Sequence, residues 1–350
     1  KGIYPGAVVI VGRSDTILHA RGFGRLSWSG RGGTPRPDST LYDLASLTKV
    51  VATTSAALVL ADRNALDLDA PVARYLPGFH RASQAAITVR MLLDHTSGLR
   101  PYASFFKRAT GRTNVIALIL QEEPGRIPGT SAVYSDINAI LLGLVVESVS
   151  GETLDRFVAR EVFQPLGMRQ TRFLPPPSIR NRIAAGYMNG RVPVSGVVQD
   201  MNARSLGGVS GHAGLFSSGL DLARFAQWWL HQGMTDSTAL VSAGTIQAFL
   251  AHRNEAGTRL LGWDSPEQGR EHPGVFGNLL SDAAYGHTGW TGTQIWVDPA
   301  KDLFVILLTN RSLNPRVNYS IRQLRTIRSQ VANAAVRAAS PECGHVQYTC

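Results

Sequence analysis

The chain has 350 residues, 44% of them hydrophobic and 17% charged, a balance that excludes disorder and suits one large core or two lobes. Its formal charge of +10 comes from scattered arginines with no basic run, so no nucleic-acid partner is expected. No apolar stretch reaches about 18 uninterrupted residues, so no membrane span is expected either.

In chain order, "GAVVIVGRSDTILHARGFG" reads as two strands around a turn at Arg13 to Asp15. No leader is visible ahead of it. Helical patterns follow at 46–62, 137–149, 153–161 and 220–232, with Gly151 as C-cap of the second and Ser218 or Asp221 capping the last. Near the other end "TQIWVDPAKDLFVILLTN" predicts a hairpin turning on Asp298 and Pro299, and an amphipathic helix is expected over about 316–338. Strands at both termini with helices between them point to an α+β protein, one sheet built from both chain ends with a helical lobe inserted. A site is expected where the lobes meet. Cys343 and Cys350 are the only cysteines, and their spacing in the tail would allow a small disulfide loop. His345 lies between them, but three ligands make a poor metal site, and no metal or cofactor is expected.

The apolar stretch "DLASLTKVVATTSAALVLA" (43–61) holds one of only four lysines in a chain with 35 basic residues. On a helix starting near Ser46, Lys49 stands one turn away on the same face, so its amine can reach the serine oxygen. A serine hydroxyl is a weak nucleophile that needs a neighbouring base, and a lysine can titrate where an arginine cannot. Tyr134, in "VYSDINAILLGLVV", precedes an apolar helix, where a phenol can pass protons. His287, Thr288 and Gly289, in "YGHTGWTGTQIWVD", lie on a strand whose edge can offer a backbone N–H to a developing oxyanion. Each signal alone is weak.

In this order and spacing, however, S-x-x-K, Y-S-D and H-T-G resemble the penicillin-recognising serine hydrolases. The likeness is greatest to the class C β-lactamase-like branch, with its DD-peptidases and family VIII carboxylesterases. "LLDHTSGLR" (92–100) and "GGVSGHAGLFSS" (207–218) agree, and the likeness runs from about residue 3 to 338. It implies a β-lactamase/transpeptidase-like fold in a single catalytic domain over 1–340. The α/β lobe would take about 1–65 and 235–340, the helical lobe about 66–234, and 341–350 would be a tail. It also implies roles: Ser46 as acylated nucleophile, and Lys49 and Tyr134 sharing the proton. The N–H groups of Ser46 and Trp290 would form the oxyanion hole, with His287 and Thr288 on the substrate-carboxylate side. The substrate would be a small molecule or peptide, and the location periplasmic or secreted. No G-x-S-x-G occurs, so the α/β-hydrolase elbow has no support.

Two positions depart from the pattern. β-Lactamases of this branch usually carry Asn where this chain has Asp136, and Lys where it has His287. An ionised Asp accepts hydrogen bonds but donates none, and beside Lys49 it would favour the charged amine. That moves the expectation of a base towards Tyr134, unless Asp136 turns away. Asn138 is not expected to substitute, since i and i+2 point to different sides of a helix. His287, mostly neutral near pH 7, would hold a carboxylate less firmly than lysine, and carboxylate-bearing substrates would gain as pH falls through about 6.5. Trp290, Phe105, Phe106 and Tyr102 would supply apolar surface for small acyl esters. The leading reading is a serine hydrolase working through an acyl-enzyme on a β-lactam, a D-amino-acid peptide or a small ester. The alternatives are a carboxylesterase with little β-lactamase activity and a non-catalytic penicillin- or peptidoglycan-binding module.

Overall fold

The computed structural model describes residues 2–28, 33–190, 192–235, 238–251, 259–266, 274–313 and 321–340. Its main sheet has five antiparallel strands: β1 (Gly6–Gly12), β2 (Ile17–Gly24), β3 (Tyr285–Thr288), β4 (Gln294–Asp298) and β5 (Leu303–Thr309), in the order β2-β1-β5-β4-β3. The two ends of the chain meet in the β1–β5 pairing, with Ala7 opposite Thr309 and Ile10 opposite Ile306. Both faces of β5 are covered, which explains its unbroken apolar run. Side chains alternate along a strand, so Phe304, Ile306 and Leu308 enter the main core while Leu303 and Val305 face the other way.

That second face is covered by the C-terminal helix, whose Ala332, Ala335 and Val336 pack on Val11, Trp296 and Val305. The helix is described over Ile321–Ala339, and its expected first turns lie outside the described residues, as do Cys343, His345 and Cys350. Against the first face lies the helix Gly219–Leu230, which contacts β1, β4 and β5. Ser218 caps it, accepting from the Asp221 N–H. The helix packs on the sheet because Leu222, Phe225 and Trp229 bury their apolar stripe there.

Two further elements position the site. A short antiparallel sheet pairs Tyr42–Asp43 with Leu215–Ser217 and brings the chain to Ser46. Its helix begins with Lys49–Thr54 as a π-turn and continues in the α form over Ser55–Asp62, with every residue of the π-turn buried. The sequence predicts a plain α-helix there; π-turns of this kind recur at functional sites. The helix Asp136–Ser150 starts at Ser135, whose side chain accepts from the Asn138 N–H, and ends at Gly151 with φ 70°. It is buried nearly all round, so its N-terminus is held firmly against the Ser46 helix. Among the described residues no single helix is long and apolar enough to cross a membrane.

Candidate active site

Ser46 follows a residue in an unusual backbone state. Ala45 has φ 48°, a conformation that costs an L-residue roughly 1–2 kcal/mol, and the chain turns there from strand to helix. The turn is held by Asp43: Oδ1 accepts from the Ala45 N–H at 2.9 Å and Oδ2 from the Gln199 N–H at 2.7 Å. Burial pushes the Asp43 carboxyl up to about 6.

Lys49 is 4% exposed and lies at the centre of the site. Its Nζ donates to Ser46 Oγ at 3.0 Å, to Asp136 Oδ1 at 2.7 Å and to the His212 carbonyl at 3.3 Å. It also lies 4.8 Å from the centre of the Tyr134 ring. Burial acts to lower the amine's pKa, but the Asp136 carboxylate and then Tyr134 outweigh it, and the net direction is upward. The 2.7 Å contact shows that Asp136 has not turned away, and the pair favours the charged form of the amine. Asn138 points elsewhere, its Oδ1 accepting from Ser97 Oγ at 2.6 Å.

The Tyr134 ring is ringed by nitrogen groups. His95 lies 4.8 Å from it, His287 5.7 Å, and the Arg259 guanidinium 5.0 Å. His95 Nδ1 accepts from the Ser135 N–H at 3.2 Å, so the "LLDHTSGLR" segment seats the tyrosine loop. The "GGVSGHAGLFSS" segment closes the other side. Gly211 O and Leu215 N bind the hydroxyls of Thr53 and Thr48, and His212 is anchored through Nε2 to Asp200 at 2.9 Å.

His287 is 4% exposed on β3, its Nδ1 bound to the Thr288 carbonyl and its Nε2 without a partner among the described residues. Thr288 is half-buried, Gly289 buried and Trp290 41% exposed. Gly289 has no room for a side chain, because a Cβ would stand 2.4 Å from the Leu44 carbonyl. Thr291 and Thr293 bind the carbonyls of Asp43 and Leu44 at 2.7 and 2.9 Å, which ties this turn to the approach to Ser46. The backbone N–H groups of Ser46 and Trp290 have no acceptor among the described residues.

The predicted residues thus converge, with two corrections. Phe105 is fully buried in the core, and of the expected apolar supply only Tyr102 and Trp290 are well exposed. The pH expectation for His287 also moves. Burial first, then the charges of Arg259 and Lys49, hold both His95 and His287 well below the usual 6.5, so His287 stays neutral through that region.

A stability effect follows. The unfolded chain takes up these protons near 6.5 and the folded one does not, so stability is complete above about 6.5 and falls as pH drops, by up to about 1.4 kcal/mol per pH unit for each histidine. Asp43 works the other way below about 6, since its folded carboxyl protonates first. Urea midpoints between about pH 8 and 5.5 are expected to fall most steeply just below 6.5, and less steeply in His287→Asn. A midpoint that holds steady or rises there would contradict the burial of two neutral imidazoles.

Residues 1–327 match the model of the Beta-lactamase family, and the chain belongs to that family. It is 32% identical over 347 residues to a protein of Escherichia coli strain K12 named, provisionally, a D-alanyl-D-alanine carboxypeptidase, covering 89% of this chain and 80% of that one. A class C β-lactamase from Rhodobacter sphaeroides superposes with TM-score 0.71 at 22% identity, covering 95% of this chain and 96% of that one. EstCE1, described as a hydrolase with promiscuous acyltransferase activity, gives TM-score 0.73 at 22% identity over 94% of both chains. The fold is the β-lactamase/transpeptidase-like one, and the protein is a serine hydrolase of the Beta-lactamase family.

Proposed function

We propose that Ser46 is the nucleophile of an acyl-enzyme mechanism, and that the substrate is a small ester or a D-amino-acid amide rather than an efficiently degraded β-lactam. The chain of contacts from Ser46 Oγ through Lys49 Nζ to Asp136, 3.0 and 2.7 Å, carries the reading. An ammonium has no free lone pair, so Lys49 organises the site and Tyr134 takes the proton. Ser46 Oγ attacks the substrate carbonyl carbon as its proton passes to Tyr134, which takes part as the phenolate beside the Lys49 ammonium. The resulting oxyanion is held by the N–H groups of Ser46 and Trp290. On collapse the bond to the leaving group breaks, and that group takes the proton from Tyr134. Water then attacks the acyl-enzyme with Tyr134 accepting its proton, and the acid leaves with Ser46 restored.

The substrate preference rests on two residues. Asp136 offers an acceptor where an amide donor would serve a β-lactam side chain, and neutral His287, which offers a substrate carboxylate no charge, favours the ester over both the β-lactam and a peptide with a terminal carboxylate. The relative named as a D-alanyl-D-alanine carboxypeptidase supports the peptide, and the exposed rings of Tyr102 and Trp290 support an acyl ester. A D-amino-acid amide is an envelope substrate, which supports a periplasmic or secreted location.

The test compares a chromogenic cephalosporin, p-nitrophenyl butyrate and a D-Ala-D-Ala peptide in the wild type and in Asp136→Asn. One added hydrogen bond is worth about 1 kcal/mol, so the cephalosporin-to-ester ratio of acylation rates is expected to rise about five- to tenfold in Asp136→Asn. A wild type that prefers the cephalosporin, or a ratio that does not rise, would overturn the preference.

A further inference from the structure

The turn after β3 is gripped from beneath by two arginines. Arg311, 1% exposed, donates to the Trp290 carbonyl through Nε at 3.1 Å and Nη2 at 2.6 Å, and lies 4.6 Å from the centre of the Trp290 ring. Arg328, 6% exposed on the C-terminal helix, donates through Nη2 to the Gly289 carbonyl at 2.7 Å and to the Thr293 carbonyl at 2.9 Å. Among the described residues Arg328 has no carboxylate partner. Burial first, then the charges of Arg311 and Arg325, bring it down to about 9. A buried guanidinium held by two carbonyls, its Nε without a partner among the described residues, is a costly arrangement for a merely structural tie.

The Gly289 carbonyl and the Trp290 N–H belong to the same peptide unit. That unit is trans, so the two groups point in opposite directions. A cation on the carbonyl oxygen therefore turns the N–H away from Arg328. It also draws electron density along the amide, which makes the N–H a stronger donor. Thr293 Oγ1 on the Leu44 carbonyl fixes the same turn against the approach to Ser46.

We propose that Arg328 is a positioning residue for catalysis: by binding the Gly289 carbonyl it aims and polarises the Trp290 N–H that receives the oxyanion. The inference rests on the oxyanion-hole reading above. It assigns a catalytic consequence to a helix that otherwise only covers the sheet.

The experiment uses phenylboronic acid, whose boron bonds to Ser46 Oγ and becomes a tetrahedral anion, alongside p-nitrophenyl butyrate turnover. All rates are normalised to the Ser46 that a fluorophosphonate labels, so a smaller folded fraction does not register. Removing an oxyanion donor outright costs about 100- to 1,000-fold in kcat, and weakening one should cost less. Arg328→Met is expected to lower kcat about 10- to 100-fold with KM within about threefold, and to weaken phenylboronic acid by a similar factor. Arg328→Lys should fall between it and the wild type. If Arg328→Met does not accumulate folded, Arg328→Lys decides alone, with several-fold weaker boronate binding expected. Wild-type boronate affinity in the variants, whatever happens to kcat, overturns the inference. If the wild type itself is not labelled at Ser46, the hydrolase reading fails and the inference with it; a labelled wild type with unmoved Arg328 variants overturns the inference alone.

Discussion

Ser46→Ala is expected to reduce hydrolysis of every accepted substrate by at least about 10⁴-fold and to abolish covalent labelling. The change removes one oxygen from a half-buried position whose backbone is fixed by Asp43 and by the helix start, so the fold should survive it. The loss should appear in kcat, because the missing bond exists only once reaction begins. Measured beside the wild type by ester turnover and intact-protein mass, a variant that keeps even about 10% of the rate would put the nucleophile elsewhere.

Lys49→Met should be nearly as damaging to activity, and it should also destabilise. Deleting one partner of a buried ion pair costs about 3–5 kcal/mol, but the Asp136 side chain is 21% exposed and can rehydrate, so a smaller loss is expected. Lys49→Met/Asp136→Leu should recover much of that stability and none of the activity. The informative comparison is Lys49→Arg. If Lys49 serves as a permanent charge, arginine should retain more activity than methionine; if it must give up a proton, both should fail alike. Urea denaturation and steady-state ester kinetics on the set read both effects. Equal stability of Lys49→Met and the wild type would mean that the pair contributes nothing to the fold.

Much of this was legible in the sequence because the signals are local. The near-continuous apolar runs "GAVVIVG" and "LFVILLT" marked the strands, and Ser218 and Gly151 marked helix ends. Ser46, Lys49, Tyr134 and the His287–Gly289 strand stood out because short motifs recur with them. What stayed hidden depends on distant parts of the chain. Nothing near Asp43 tells that it holds the Ser46 turn, and nothing around Arg311 announces that its charge grips a distant carbonyl. His95 lies in a segment that stood out as a stretch, but its seat under Tyr134 needs the tertiary contact with Ser135. Arg311 and Arg328 reach carbonyls 21 and 39 positions away, so composition alone shows two more arginines in an arginine-rich chain. Phe105 was misread for the same reason: an aromatic pair near a site does not say which ring faces the core. The departure at Asp136 was visible, but only its contact with Lys49 shows that the charged form of the lysine is favoured.

The most direct measurement is the site of covalent modification. The wild-type protein, treated with a fluorophosphonate and digested, should carry the added mass on the peptide containing "DLASLTK", on Ser46, and Ser46→Ala should carry none. Label on another residue, or equal label on Ser46→Ala, would contradict the account.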